Sequence, residues 1–152
     1  MIIIGIDPGK GGSIAVKSDK TTVAYKMPQT ERDLFDRLKE IKEVAGSREI
    51  VCYLEKVHAM PGEGVKSVWT FSGNYHSLRM ALIALFIPFY DITPMEWQKT
   101  LSVRKKNKSV TKTQHKNNLK AKAQQLYPEI KVTLYNADAL LLCEYGKGRH
   151  IF

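Results

Sequence analysis

The chain opens Ile2-Ile3-Ile4-Gly5-Ile6 and runs directly into Asp7. A short, nearly unbroken apolar run is the pattern of a strand buried on both faces, and such a strand belongs in a sheet with helices on either side. Pro8 and Gly9 bend the chain at once, which leaves the Asp7 carboxylate at the rim of that sheet. A carboxylate there loses hydration and is tolerated when it is paired or binds a cation. The plainer reading is an Asp that starts a turn by accepting backbone N–H bonds, and both stand at this point.

The remaining elements follow the same lead. Ser13 to Lys17, with Ile14 and Val16 on one face, and the alternating Val23, Tyr25 and Met27 predict two more strands in an antiparallel meander. Thr30 and Asp33 make a capping-box-like start for a helix in which Leu34, Phe35, Leu38 and Ile41 share a face, and Gly46 stops it. Ile50 to Glu55 reads as a second buried strand, entered from a helix and therefore parallel to the first.

A long helix is predicted from Lys66 to Phe86, where Val68, Phe71, Tyr75, Leu78, Leu82 and Leu85 form one stripe. Trp69, Met80, Ile83 and Phe86 add apolar surface on its other faces, which suits packing on the sheet, a subunit interface, or both. Pro88 to Thr93 is a fifth short strand, and Pro94 opens a brief helix carrying Trp97. Helices over Lys112 to Leu126 and about Asn136 to Tyr145 complete the chain, the last with Ala137, Leu140 and Leu141 inward. The expected architecture is α/β: one five-stranded mixed sheet flanked by helices, in a single domain of 152 residues.

Charge is distributed unevenly. Nine of the 24 Lys and Arg fall between Glu96 and Glu129, where no acid occurs, so the other basic residues balance the 15 Asp and Glu. One segment therefore carries the whole net charge of +9, and a concentrated basic patch points to nucleic acid. A solvated, solubilising segment is the plain alternative. Cys52 and Cys143 sit in apolar runs with no metal-ligand spacing, as reduced core residues of a cytoplasmic protein do. The longest apolar stretch, Met80 to Phe89, contains a proline and is about half the ~20 residues a membrane helix needs. The N-terminal run is too short for a signal peptide or a span, so no membrane association is expected.

Two further acids resemble Asp7 in setting. Glu55 ends the apolar run Val51-Cys52-Tyr53-Leu54, ahead of a glycine-containing loop. If its strand lies beside the first and parallel to it, spacing of ~4.8 Å brings both carboxylates to one sheet edge. Asp138 lies in the first turn of the last helix, where an acid also complements the helix dipole. Three acids without a His or Cys cluster suggest oxygen-only ligation of Mg²⁺ or Mn²⁺. Two such ions about 3.5–4 Å apart support phosphodiester hydrolysis.

Taken in order, Ile4-Gly-Ile-Asp-Pro-Gly9, Leu54-Glu55, Pro94-Met-Glu-Trp97, Lys112-Thr-Gln114 and Ala137-Asp-Ala-Leu140 resemble the RuvC-type Holliday junction resolvases, short phage-borne members in particular. The resemblance spans nearly the whole chain. It implies a ribonuclease H-like fold, a homodimer, and nicking of branched DNA (four-way junctions, flaps or replication forks) with two Mg²⁺ or Mn²⁺ ions per subunit. It also implies Asp7, Glu55 and Asp138 as catalytic metal ligands and Lys112 as a further catalytic residue, a basic group that contacts DNA near the active site. His58 falls in a loop expected to probe the branch point, and Arg104, Lys105, Lys106, Lys108, Lys112, Lys116 and Lys120 form the expected phosphate grip. A phage-encoded chain of this kind acts in the host cytoplasm.

The chain departs from the family in one respect. A fourth acid is expected three or four positions before Asp138, and Leu134 and Tyr135 stand there. Asn136 offers a neutral oxygen at most, and Glu144 lies on another side of the helix. The loss leaves open a weak or Mn²⁺-favouring nuclease, a substituted ligand, or a branched-DNA binder without activity. A more distant alternative reads Gly5-Ile-Asp-Pro-Gly-Lys-Gly-Gly12 as the phosphate hairpin of an actin- or sugar-kinase-like ATPase.

Overall fold

The computed structural model describes residues 1–58, 62–105 and 107–150. Five strands form one mixed sheet in the order β3-β2-β1-β4-β5, from β1 (Ile2–Asp7), β2 (Ser13–Lys17), β3 (Thr22–Lys26), β4 (Ile50–Glu55) and β5 (Phe89–Ile92). The first three strands are antiparallel neighbours, while β4 runs parallel to both β1 and β5. Helices α1 (Glu31–Ala45) and α2 (Val65–Ala84) cover one face, and α3 (Pro94–Thr100), α4 (Lys112–Leu126) and α5 (Ala137–Arg149) cover the other.

The two-residue period of a strand sorts the side chains between these layers. Ile2, Ile4 and Ile6 pack with Cys52, Leu54, Leu34, Leu38, Leu78 and Leu82 on the α1/α2 face. Ile3, Val51 and Tyr53 point the other way, into a core built with Trp97, Leu119 and Leu140. Both cysteines are buried and free.

The predicted cap of α1 forms, and α4 has one as well. The Thr30 hydroxyl accepts the Asp33 N–H at 3.1 Å and donates to its carboxylate at 2.7 Å, starting α1. Thr111 and Gln114 make a reciprocal capping box for α4, so Gln114 has a structural task there. Of the α2 stripe, Tyr75, Leu78 and Leu82 are buried, whereas Val68, Phe71 and Leu85 are half-buried.

The last helix departs most from expectation. It runs on to Arg149, and Ala139, Leu142, Cys143, Tyr145 and Gly146 are buried beside the expected Ala137, Leu140 and Leu141. It is hemmed in on most sides because it lies on β1 and is flanked by α3 and α4. Small residues permit the close approach: a Cβ on Gly5 would strike the Ala139 carbonyl oxygen, and one on Gly146 would strike the Tyr53 ring. Among the described residues no helix is long and apolar enough to cross a membrane.

Candidate active site

Strand register brings the first two acids together. Ile6 pairs with Leu54, so the next step along both parallel strands sets Asp7 beside Glu55. Alternation from Ile3 to Asp7 and from Val51 to Glu55 points both carboxyls to the α5 face. There they share a hydrogen bond, and Asp138 in the first turn of α5 is close enough to act on both by its charge.

Burial is the main force on all three groups. It raises Asp7 well above the usual carboxylate range, and the negative charges of Glu55 and Asp138 add to the effect. Burial lifts Glu55 to about 7, against the opposing effect of an indole N–H bond from Trp97. Burial also lifts Asp138 to about 6. Two ionised carboxylates about 5 Å apart repel by about 3 kcal/mol at an effective dielectric of ~20, which favours one shared proton over two full charges. The Lys116 ammonium favours the charged form of each acid, but one lysine does not neutralise three carboxylates.

Neighbouring groups hold the site's frame. Trp97 Nε1 donates to Glu55 Oε1 at 2.8 Å. Ser13, the partner of Asp7 in β2, donates to the Tyr135 carbonyl oxygen at 2.8 Å. The Gly9 N–H, just after Asp7, donates to Asn74 Oδ1 at 2.7 Å.

The Ser13 bond carries residues 134–136 to the rim of the site, where the fourth acid is expected. Leu134 and Tyr135 are both exposed there. The Asn136 side chain is engaged in its own loop, accepting from Thr133 N at 2.7 Å and donating to Lys131 O at 3.2 Å. Glu144 lies elsewhere, accepting from the Tyr127 hydroxyl at 3.1 Å and pairing with Lys17 at 3.9 Å.

An all-carboxylate, net negative donor set matches a hard divalent cation in chemistry. In geometry it is not a closed cage. Among the described residues no group of three or more His, Cys, Asp or Glu is arranged to hold a metal ion as it stands.

No family model matches the sequence, and no curated protein matches it. Solved structures do. RuvC of Thermus thermophilus in complex with a Holliday junction substrate superposes with a TM-score of 0.63 over 99% of this chain and 96% of that one, at 14% identity. A second Thermus thermophilus RuvC structure gives a TM-score of 0.57 over 95% and 92% of the two chains, at 17% identity. The fold is RuvC-like.

That fold disposes the expected DNA-contacting residues as follows. Lys112, Lys116 and Lys120 recur along an exposed side of α4, and Lys116 is the cation whose field reaches all three acids. Lys112 opens the helix one turn earlier. Arg104, Lys105 and Lys108 are exposed in the preceding loop, and Lys106 lies outside the described residues. His58 is exposed just past β4, and the residues that follow it, 59–61, also lie outside the described residues.

The expected ligand set omits one group that touches the acids, Trp97. Its sequence signal was its place at the end of the Pro94-Met-Glu-Trp97 motif, which does not distinguish a core residue from a hydrogen-bond donor.

Proposed function

We propose that this chain is a divalent-cation-dependent endonuclease that nicks branched DNA, with Asp7, Glu55 and Asp138 as the cation ligands. The supporting observation is a buried carboxyl cluster that the charges of the described residues leave uncompensated. Clusters of this kind are costly to folding and concentrate at functional sites. When bound, Mg²⁺ or Mn²⁺ supplies Lewis-acid stabilisation of a scissile phosphate. A fourth acid's absence at 134–136 weakens any second cation position.

The chain's own residues supply the grip. Arg104, Lys105, Lys108, Lys112, Lys116 and Lys120 neutralise phosphates, a mode that is salt-sensitive and indifferent to base sequence. Lys116 meets the phosphate nearest the acids. The similar RuvC structure holds a Holliday junction, so a four-way junction is the first substrate to test. Val65, Trp69, Met80, Ile83 and Phe86 leave an exposed apolar surface along α2 and its C-terminal end, which we assign to a homodimer interface. Two-fold pairing would match the symmetry of a four-way junction. On this reading the protein acts in the cytoplasm, of a host cell if it is phage-encoded.

A branched-DNA binder without catalysis is the second reading, favoured by Leu134 and Tyr135 at the fourth-acid positions. The ATPase reading loses support because Gly9 N and Gly12 N in the hairpin are already bonded, to Asn74 Oδ1 and to the Gly9 carbonyl at 2.9 Å. The deciding experiment compares a synthetic four-way junction with linear duplex, in Mg²⁺ and in Mn²⁺, for wild type and Asp7→Asn. Metal-dependent nicking of the junction, lost in the variant, is expected. Tight junction binding with no cleavage in either metal assigns the binder instead.

A further inference from the structure

The short helix α3 has more to do than its seven residues suggest. Its start is fixed by Pro94 at the first turn and by the Thr93 hydroxyl accepting from Glu96 N at 3.3 Å. Three consecutive side chains then reach three different elements. Glu96 Oε1 accepts from the Tyr145 hydroxyl at 2.6 Å and from Arg149 at 3.0 Å, both on α5. Trp97 Nε1 donates to Glu55 Oε1 at the end of β4. Gln98 Oε1 meets His115 Nε2 on α4 at 3.1 Å. These elements carry Asp138, Glu55 and Lys116 respectively.

Resting on the nuclease reading above, we propose that α3 acts as a strut for the candidate cation site and that Trp97 is the positioning residue for Glu55. The indole is fully buried, so its N–H must find an acceptor or remain an unsatisfied donor. The acceptor it takes is a carboxylate oxygen of the candidate ligand. That bond fixes the orientation of the Glu55 carboxylate. A rigid indole wedged in the α5-face core holds this geometry without a mobile side chain. Outer groups that orient ligands in this way typically change metal affinity 10–100-fold.

Metal binding tests the assignment without reference to cleavage. Mn²⁺ affinity is read by electron paramagnetic resonance on wild type and Trp97→Phe, with thermal unfolding of the metal-free proteins in parallel. A loss of about tenfold or more in Mn²⁺ affinity, with the variant still folded, supports the strut. Equal affinity with a lowered Tm means that Trp97 only fills the core and overturns it.

A second measurement keeps the test open if the variant does not fold. The protein has two tryptophans, Trp69 at 81% exposed and Trp97 fully buried, so their ¹⁵N-indole resonances separate by solvent exchange. Added Mg²⁺ should shift the protected resonance. A protected indole unmoved while Mn²⁺ binds overturns the Trp97 assignment alone. No Mn²⁺ binding by wild type overturns the cation site and the strut together.

Discussion

Two parallel strands, side by side, each carry an acid near the same edge of the sheet, and the two acids are handled in opposite ways. Asp91 on β5 pairs with Leu54 in register and therefore shares the α2 face. It accepts a 2.6 Å bond from the Tyr75 hydroxyl and forms an ion pair with Arg79, both on α2. Its charge is answered where it sits. Glu55, one residue beyond Leu54, faces α5 and meets two more acids, with one lysine in range among the described residues. The difference teaches which acids to regard as functional. A half-buried carboxylate with its own guanidinium belongs to the frame, whereas a buried group of carboxylates in excess of cations is the pattern of a candidate ligand site.

The largest expected effect separates the two regions by sign. Asp7→Asn should lower junction cleavage by about 10³-fold or more, equivalent to about 4 kcal/mol in the barrier, while junction binding stays near wild type. The same change should raise the Tm of metal-free protein at pH 8, because it removes a charge that folding disfavours. Unchanged cleavage would show that the ligands lie elsewhere.

The metal-free pH dependence sharpens the contrast. Asp7, Glu55 and Asp138 all titrate higher in the folded chain than free carboxyls, Glu55 at about 7 and Asp138 at about 6. The folded chain therefore binds more protons than the unfolded one between roughly pH 4 and 7. Stability should fall as pH rises through that window, by roughly 5 °C in Tm or more. Mg²⁺ should flatten the slope by stabilising the ionised forms, since ligand binding releases protons. A flat metal-free profile would contradict the clustered geometry.

Asp91→Ala is expected to behave the other way. Breaking its partly exposed pair with Arg79 should cost about 1–2 kcal/mol in urea unfolding. Cleavage at saturating cation should remain within about twofold. A cleavage loss matching that of Asp7→Asn would erase the distinction between the two regions. The smallest effect belongs to Lys116→Ala. Removing its charge raises the proton affinity of all three acids, so the pH at which activity reaches half-maximum should move upward, with a severalfold loss below it. An unmoved profile would leave Lys116 as a phosphate contact only.

The strands, helices and caps were legible because each depends on local periodicity and turn chemistry, as in Ile2 to Asp7 and Thr30 to Asp33. Asp7 and Glu55 were legible as well, because an acid ending a buried apolar strand is a conflict visible in one dimension. What the sequence determined by itself is that conflict, together with the basic segment that follows Glu96. Tertiary structure decided which acids meet. Parallel register set Asp7 against Glu55, and Gly5 let α5 come close enough to add Asp138. It also decided that Asp91 is answered by Arg79, that α5 is buried almost all round, and that the Trp97 indole bonds Glu55. The physical reason is that charge compensation and hydrogen-bond partnership depend on distances between segments remote in the chain, and no local pattern encodes those distances.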